Sequence, residues 1–457
     1  MKNRILSLIE KQRAFFETDT TKDVAFRKEN LTKLKSAVKR YEQQLLDALQ
    51  RDLHKSETEA YMTEIAFIYE EIRFVLKNLD SWTKPQKVKT PVSHLGSKSY
   101  LYREPYGVTL IIAPWNYPVQ LQFSPLIGAI SGGNTALLKP SEYTPTVSRW
   151  ISELIQETFP SEYIALIEGG VEESQALLNE RFDYIFFTGS VAVGKEVMKA
   201  AANYLTPLTL ELGGKSPCIV DQDANIELAA KRIAWGKFTN AGQTCIAPDY
   251  VIVHEQIREK FVQQLKAVVK EFYGETPLNS EKFGKIVSKR HFTRLLAFLQ
   301  DGDIVFGGQY EEVENRISPT LLENITWEDS VMKEEIFGPI LPLLSFTKFE
   351  DLKNHLDKAP NPLALYYFSE DEKKQEKIIN SFSFGGGCIN DTVMHVANTH
   401  LPFGGVGESG MGKYHGKGSF DAFTHEKGIL KQTTKFDLPV RYPSFKNSLK
   451  YVKKLLK

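Results

Sequence analysis

Residues 1–80 place their apolar side chains three and four apart, the period of a helix with one buried face. "MKNRILSLIEKQRAFFE" opens this region as an amphipathic helix, and "TKLKSAVKRYEQQLLDALQRDL" and "EAYMTEIAFIYEEIRFVLKNLDSW" continue it as long helices. The stretch "TKPQKVKTP" (83–91), with two prolines and three lysines, breaks the period and reads as a connector. "SYLYREPYG" (99–107) reads as an extended ribbon. Beyond it the rhythm shortens. "VTLIIAP" (108–114), "TALLKP" (135–140), "YIALIEGG" (163–170) and "YIFFTGS" (184–190) are brief apolar runs, each followed by a helical or turn segment. Such alternation predicts a parallel sheet with crossovers on its faces. A second series starts near residue 211. There "SPCIVD" and "DYVIVHE" read as strands, and "NIELAAKRIAWGKFTN" and "IREKFVQQLKAVVKEFY" as helices, the first opened by Asp223 as its cap. The chain shows no internal repeat and no low-complexity tract.

Length and composition narrow the field. A chain of 457 residues exceeds one small core and predicts two or three domains. With 57 basic and 57 acidic residues there is no global field to draw nucleic acid or an acidic substrate. Three cysteines, Cys218, Cys245 and Cys388, provide no disulfide framework and predict a reducing compartment, the cytoplasm. No CxxC, no histidine pair at ligand spacing and no complete calcium loop is present, so no metal is expected. The opening helix is charged too early for a secretory signal, and the longest apolar run is short of a bilayer span. The tail, "RYPSFKNSLKYVKKLLK" (441–457), carries six basic residues and no acidic one, with Phe445, Leu449, Val452 and Leu456 at helical spacing. Two readings of it stay open: contact with an anionic membrane surface, or a terminal helix docked on the body or left in solvent.

Five segments place reactive or backbone-exposing residues at the end of a strand-like run, where ligands bind in open α/β sheets. "FTGSVAVGKEVMKAA" (187–201) turns from strand to helix and offers backbone N–H groups to a pyrophosphate. "LELGGKSP" (210–217) puts Glu211 before a Gly-Gly pair, where a desolvated carboxylate can act as general base. "NAGQTCIAP" (240–248) carries Cys245, a candidate nucleophile toward a carbonyl carbon. "APWNYP" (113–118) offers the Asn116 amide to a developing oxyanion. "EEIFGP" (334–339) sets Glu335 and Phe337 before a turn. Taken singly, each is as readily structural: a small buried thiol, an acidic residue beside a turn, a strand–turn–helix without the GxGxxG fingerprint.

Together they resemble the aldehyde dehydrogenase superfamily. PWN, KPSE, FTGS-x-x-x-G, ELGGK-x-P, GQ-x-C, EEIFGP and PFGG-x-G-x-S-G occur in the family's order between residues 113 and 412. "KPSE", "NDTVMH" (390–395) and "LPFGGVGESGMGKYHGKGSFDAFTH" (401–425) are most similar to its class 3 branch, which handles aromatic and medium-to-long aliphatic aldehydes. The resemblance implies an α/β fold with a Rossmann-type NAD(P)-binding domain over 1–210, to which 97–107 adds part of an oligomerisation ribbon. It further implies a catalytic domain over 211–400, a return to the cofactor domain with an oligomerisation strand over 401–440, and the basic tail. Relatives of this branch are commonly homodimers.

The same resemblance implies roles for individual residues. Cys245 attacks the aldehyde, Asn116 and the Cys245 backbone N–H hold the oxyanion, hydride passes to the nicotinamide, and Glu211 activates the water that hydrolyses the thioester. Gly189, Ser190, Val193 and Gly194 lie near the pyrophosphate, with Trp115 and Leu212 also against the cofactor. Lys139 and Glu142 face the adenosine ribose, and Glu335 and Phe337 the nicotinamide ribose and ring. A carboxylate at Glu142 favours NAD over NADP, although class 3 relatives with this motif often accept NADP. Tyr117, Met394 and His395 are expected along the aldehyde's tail, and Cys218 and Cys388 as packing residues. Two rival readings are a CoA-acylating enzyme, which usually lacks the ELGGK glutamate, and a binding protein that has kept the fold without turnover.

Overall fold

The computed structural model describes residues 2–455. Its N-terminal helices follow the sequence period but break where a continuous helix was expected. Lys2–Phe16 buries Ile5, Ile9 and Gln12 on one stripe. The next run splits at Tyr41 into Val24–Arg40 and Glu42–Leu53. The third divides more unusually: a short helix, Glu57–Ala60, passes through a π-helical turn, Tyr61–Ile65, into Ala66–Trp82. A π turn holds one residue more than an α turn and commonly marks a functional site. Here it turns Glu64 and Ile65 inward and leaves Tyr61 and Met62 on the surface. The "TKPQKVKTP" connector is also more than a break, because Gln86–Val88 is a strand that opens the ribbon.

Two sheets carry the rest. The six-stranded sheet runs Gly410–Met411, Leu208–Glu211, Tyr184–Thr188, Val108–Ile112, Thr135–Lys139, Ile164–Leu166, parallel except for its first strand. Chain order therefore reverses between Val108–Ile112 and Tyr184–Thr188, which pair directly. Loops leaving the carboxyl ends of such a pair diverge and leave a crevice. Those loops carry Trp115 and Asn116 on one side, Gly189 and Ser190 on the other.

The seven-stranded sheet runs Asp303–Phe306, Thr320–Glu323, Ile340–Phe346, Tyr250–His254, Pro217–Val220, Ala364–Phe368, Gly386–Ile389, parallel except for its first strand. Cys245 lies ahead of Tyr250–His254, and Glu335 ahead of Ile340–Phe346, so both stand at strand beginnings rather than at the ends expected from sequence. Glu211 ends a strand of the first sheet and leads into Pro217–Val220 of the second. The chemistry-bearing residues thus gather along the seam between the sheets.

Asp223 does not cap the helix after it. Asn225 does, its side chain accepting from the Leu228 N–H, while Asp223 accepts from the N–H groups of Glu370 and Asp371 and pairs with Lys374. That setting holds the Asp223 carboxyl down at about 2, the hydrogen bonds and charge of Lys374 outweighing partial burial.

The ribbon has three antiparallel strands, Gln86–Val88, Ser97–Pro105 and Thr424–Gln432, the last two paired over nine residues. Thr424–Gln432 forms its outer edge and is exposed from its second residue onward. The tail forms a helix, Ser448–Leu455, with Phe445 and Val452 half-buried and Leu449 exposed; Leu456 lies outside the described residues. Val452 shares a small cavity with Leu95, Leu430 and Leu438 of the ribbon region. No helix among the described residues is long and apolar enough to cross a membrane.

Candidate active site

Cys245 is delivered by a tight left-handed turn. Residues 240, 241 and 242 all have positive φ, at 53°, 52° and 75°. Gly242 is required there: a Cβ would fall 2.2 Å from the Gly338 carbonyl oxygen, so only glycine lets this turn press against the "EEIFGP" turn. Gln243 anchors the other side. Its amide nitrogen donates to the carbonyls of Asn240 and Lys285, and its amide oxygen accepts from the Val287 N–H. The Asn116 amide donates to the Gln243 carbonyl at 3.1 Å, so the loops carrying Asn116 and Cys245 are joined directly.

A cavity of about 290 Å³ brings Cys245, Glu211, Leu212, Tyr117 and Met394 together. Its walls are otherwise largely apolar, with Phe67, Leu121, Trp235, Val393, Phe403 and Tyr414 among them, and Tyr61 and Met62 of the π turn beside exposed Met394. Tyr117 is held by a hydrogen bond between its hydroxyl and Thr244 Oγ1 at 2.6 Å. His395 departs from the sequence expectation and does not line the cavity. Its ring stacks behind Phe403, with Nδ1 3.5 Å from Cys388 Sγ, because the short helix Met394–Ala397 turns the two neighbouring side chains to different sides. Burial lowers the His395 imidazole to about 4, which suits packing. Cys218 is fully buried in its strand, and Cys388 half-buried.

Glu211 is 2% exposed, and neither carboxylate oxygen has a hydrogen-bond partner. Burial pushes its carboxyl well above the usual range. The Cys245 thiol is also raised, by burial first and then by the charges of Glu335 and Glu211. Backbone N–H groups of Cys245 and Ile246 pull the other way.

The remaining cofactor-site candidates, apart from Leu212, do not line that cavity. Ser190 caps the helix Val191–Ala202, its side chain accepting from the Val193 N–H, and Ser190 and Val193 are exposed at that helix's positive end. Gly194 fits tightly beneath: a Cβ there would meet Leu212 Cδ2 at 2.6 Å. A Cβ on Gly189 would meet the Phe187 ring at 2.5 Å. Lys139 is buried, donates to the Pro140 carbonyl at 2.7 Å and stands 3.9 Å from Glu142, which is partly exposed. Trp115 packs edge-on against Phe337 and also against His291, a contact absent from the sequence reading. Phe337 holds φ at 50°, a strained conformation for an aromatic residue, with its ring against Trp115.

Glu335 is raised to about 8, by burial first and then by Asp249, against the Gly214 N–H, Lys215 and Arg294. A Cβ on Gly213 would come within 2.1 Å of its Oε2, so glycine is what admits the carboxylate. Lys237 is sealed nearby with no partner on its ammonium nitrogen, and burial lowers it to about 8. Among the described residues no cluster suited to a metal ion occurs.

The family model of the aldehyde dehydrogenases matches residues 2–429. The chain belongs to that family. It is an NAD(P)-dependent aldehyde-oxidising enzyme with the aldehyde dehydrogenase fold. Its relatives include the 4,4'-diaponeurosporen-aldehyde dehydrogenase of Staphylococcus aureus (strain NCTC 8325 / PS 47), 52% identical over 97% of each chain. The dimeric NADP-preferring aldehyde dehydrogenase of Canis lupus familiaris is 40% identical over 96% of this chain and 98% of its own. Aldehyde dehydrogenase family 3 member A2 of Mus musculus is 42% identical over 97% of this chain and 91% of its own. Among solved structures, the substrate-bound state of Staphylococcus aureus AldH superposes with a TM-score of 0.97, at 51% identity and 99% coverage of both chains.

Sequence reasoning missed several residues of this aldehyde dehydrogenase site. Thr244, Trp235, Phe403 and Tyr414 line the cavity, and Lys55 and Glu64 hold the Asn116 loop from beneath. Tyr414 was legible, since it falls inside the C-terminal motif; Lys55 carried no signal.

Proposed function

We propose that this enzyme oxidises apolar aldehydes, aromatic or medium-to-long aliphatic, to carboxylic acids through a thioester on Cys245. The observation that carries the reading is the shared apolar cavity of Cys245 and a Glu211 carboxyl with no partner of its own. A polar catalytic pair facing apolar walls selects a reactive carbonyl on an apolar body.

The Glu211 carboxylate takes the Cys245 proton, and the sulfur adds to the aldehyde carbon. The oxygen becomes an oxyanion, which accepts hydrogen bonds from the Asn116 amide and the Cys245 backbone N–H. These donors match the tetrahedral centre better than the planar carbonyl, which lowers the barrier. When bound, the oxidised nicotinamide supplies the acceptor for the hydride that leaves this carbon. Glu211, having passed that proton to solvent, takes a proton from water, the water oxygen attacks the thioester, and the acid departs as the C–S bond breaks and Cys245 leaves as thiolate. A carboxyl raised by burial is suited to that proton transfer near neutral pH.

Ser190, Val193, Gly189 and Gly194 would hold the pyrophosphate, supported by the capped helix terminus and the close glycine contacts. Trp115 and Leu212 would wall the cleft, Lys139 and Glu142 would take the adenosine ribose, and Glu335 and Phe337 the nicotinamide end. The partly exposed Glu142 carboxylate favours NAD; the Canis lupus familiaris relative named as NADP-preferring keeps NADP in view as a second acceptor. The domain division at 210, 400 and 440 follows the passage of the chain from one sheet to the other and back into the ribbon. The exposed edge of Thr424–Gln432 supports a homodimer. Three free cysteines support a reducing cytoplasm. Val452 beside the ribbon supports a docked tail over a membrane-bound one.

Reduced-nicotinamide formation with NAD or NADP, over aldehydes from acetaldehyde to long-chain and aromatic examples, tests the reading. Cys245→Ala should lose at least about 10⁴-fold in turnover, while Glu211→Gln should form one equivalent of reduced nicotinamide and stall. A strict requirement for CoA in the wild type would reassign the enzyme to thioester transfer.

A further inference from the structure

Beneath the catalytic seam lies a fully buried ion pair that none of the recognised motifs contains. Lys55 and Glu64 are both 0% exposed, with Nζ to Oε1 at 2.6 Å. Lys55 Nζ also donates to the backbone carbonyl of Asn116 at 2.9 Å and stands 3.9 Å over the Tyr117 ring. Glu64 Oε2 accepts from the N–H groups of Val119 and Gln120, at 2.9 and 3.0 Å, just where the next helix begins. The loop carrying Asn116 is thus held by its carbonyl at one end and by two N–H groups at the other.

The same short region grips the nucleophile's loop. Glu59 Oε1 accepts from the Asn240 N–H at 2.8 Å. The Asn240 amide in turn donates to the Asn116 carbonyl at 2.8 Å and to the Gln243 carbonyl at 3.1 Å. The Asn116 side chain therefore has one N–H spent on Gln243, which aims the amide and leaves the second N–H for an acceptor. A buried ion pair is costly compared with apolar packing of equal volume. An apolar pair in this place would fill the space but bind neither the carbonyl nor the N–H groups.

Resting on the reading of Asn116 as oxyanion donor, we propose that Lys55 and Glu64 are positioning residues that fix this amide against Cys245. Their effect reaches the reaction through the loop alone. A shift of about 1 Å in a donor is enough to cost roughly a hundredfold in rate.

The test is a double-mutant cycle on the rate of hydride transfer, measured by stopped flow. The pair variant Lys55→Met/Glu64→Gln removes both charges while preserving side-chain shape, and it is combined with Asn116→Ala. Thermal melting and cofactor affinity check the fold, and Glu64→Gln alone serves if the pair variant does not fold. The pair variant should slow hydride transfer about tenfold to a hundredfold, with aldehyde KM and cofactor affinity within about twofold. In the Asn116→Ala background the same change should cost nothing further, because the amide it positions is gone.

Full additivity of the two losses, or an unchanged rate in the pair variant while Asn116→Ala is impaired, would overturn the positioning role and leave the oxyanion role standing. An unimpaired Asn116→Ala would remove the oxyanion role and this proposal with it.

Discussion

Two glutamates lie sealed in the middle of this enzyme, and they are treated in opposite ways. Glu64 spends one oxygen on an ammonium and the other on two backbone N–H groups. Glu211, 2% exposed at the end of a strand, has nothing on either oxygen. A buried carboxylate that only supports structure has its lone pairs occupied, because an empty one costs its full desolvation. A carboxyl left empty beside a thiol is raised by burial and has its lone pairs free for a partner that arrives later. The difference separates the scaffold from the chemistry more sharply than burial or motif membership does.

Removing each side chain should make the contrast measurable. Glu64→Ala leaves the Lys55 ammonium unpaired and two N–H groups orphaned, and should cost about 3–5 kcal/mol in stability, read as a lower midpoint in urea. Glu211→Gln breaks no hydrogen bond and should melt within about 1 kcal/mol of wild type. Equal losses in the two variants would erase the distinction.

A smaller effect depends on pH. The Glu211 carboxyl is raised on folding, so its contribution to stability is present below the ordinary carboxylate range and is lost as pH rises through its folded value. The melting temperature of Glu211→Gln should therefore gain on that of wild type between pH 5 and pH 9, about as the scale of carboxylate titration requires. The catalytic counterpart has the same sign, since kcat/KM should rise with pH as Cys245 and Glu211 lose their protons. A difference in melting that stays flat with pH would mean Glu211 is already ionised in the folded state.

The smallest expected change is at the cleft's rim. Glu142→Gln should move the ratio of kcat/KM for NADP over NAD upward by roughly fivefold, the worth of about 1 kcal/mol for one partly solvated charge against a phosphate.

What was legible in the sequence follows the same division. Cys245, Glu211 and Asn116 stand in motifs whose residue order survives any detail of packing. The alternating apolar runs announced both sheets, because a strand buried on both faces has no polar positions to confuse the pattern. Lys55 was illegible, since a lysine in "LHKSETE" looks like solvated loop. Glu64 was illegible because an acidic residue in a charged helix is read as solvated, although its neighbours four residues away, Ala60 and Ile68, are buried. His395 and Asp223 were misplaced for another reason: a one-residue change in direction decides which way a side chain faces, and composition does not record it. Cys245 and Glu335 precede their strands because the second sheet meets the seam by its opposite edge, a matter of topology rather than of local pattern.

The π turn at Tyr61–Ile65 also sets a rule about chain length. It puts the segment before it out of phase with the helix after it, so Ala66–Trp82 can pack its stripe into the core while Lys55 and Glu59 reach the catalytic loops. Deleting one residue there would restore an ordinary helix and swing everything upstream through about 100°. Both groups would then leave the loops they hold. The number of residues in this turn is therefore fixed more tightly than their identity.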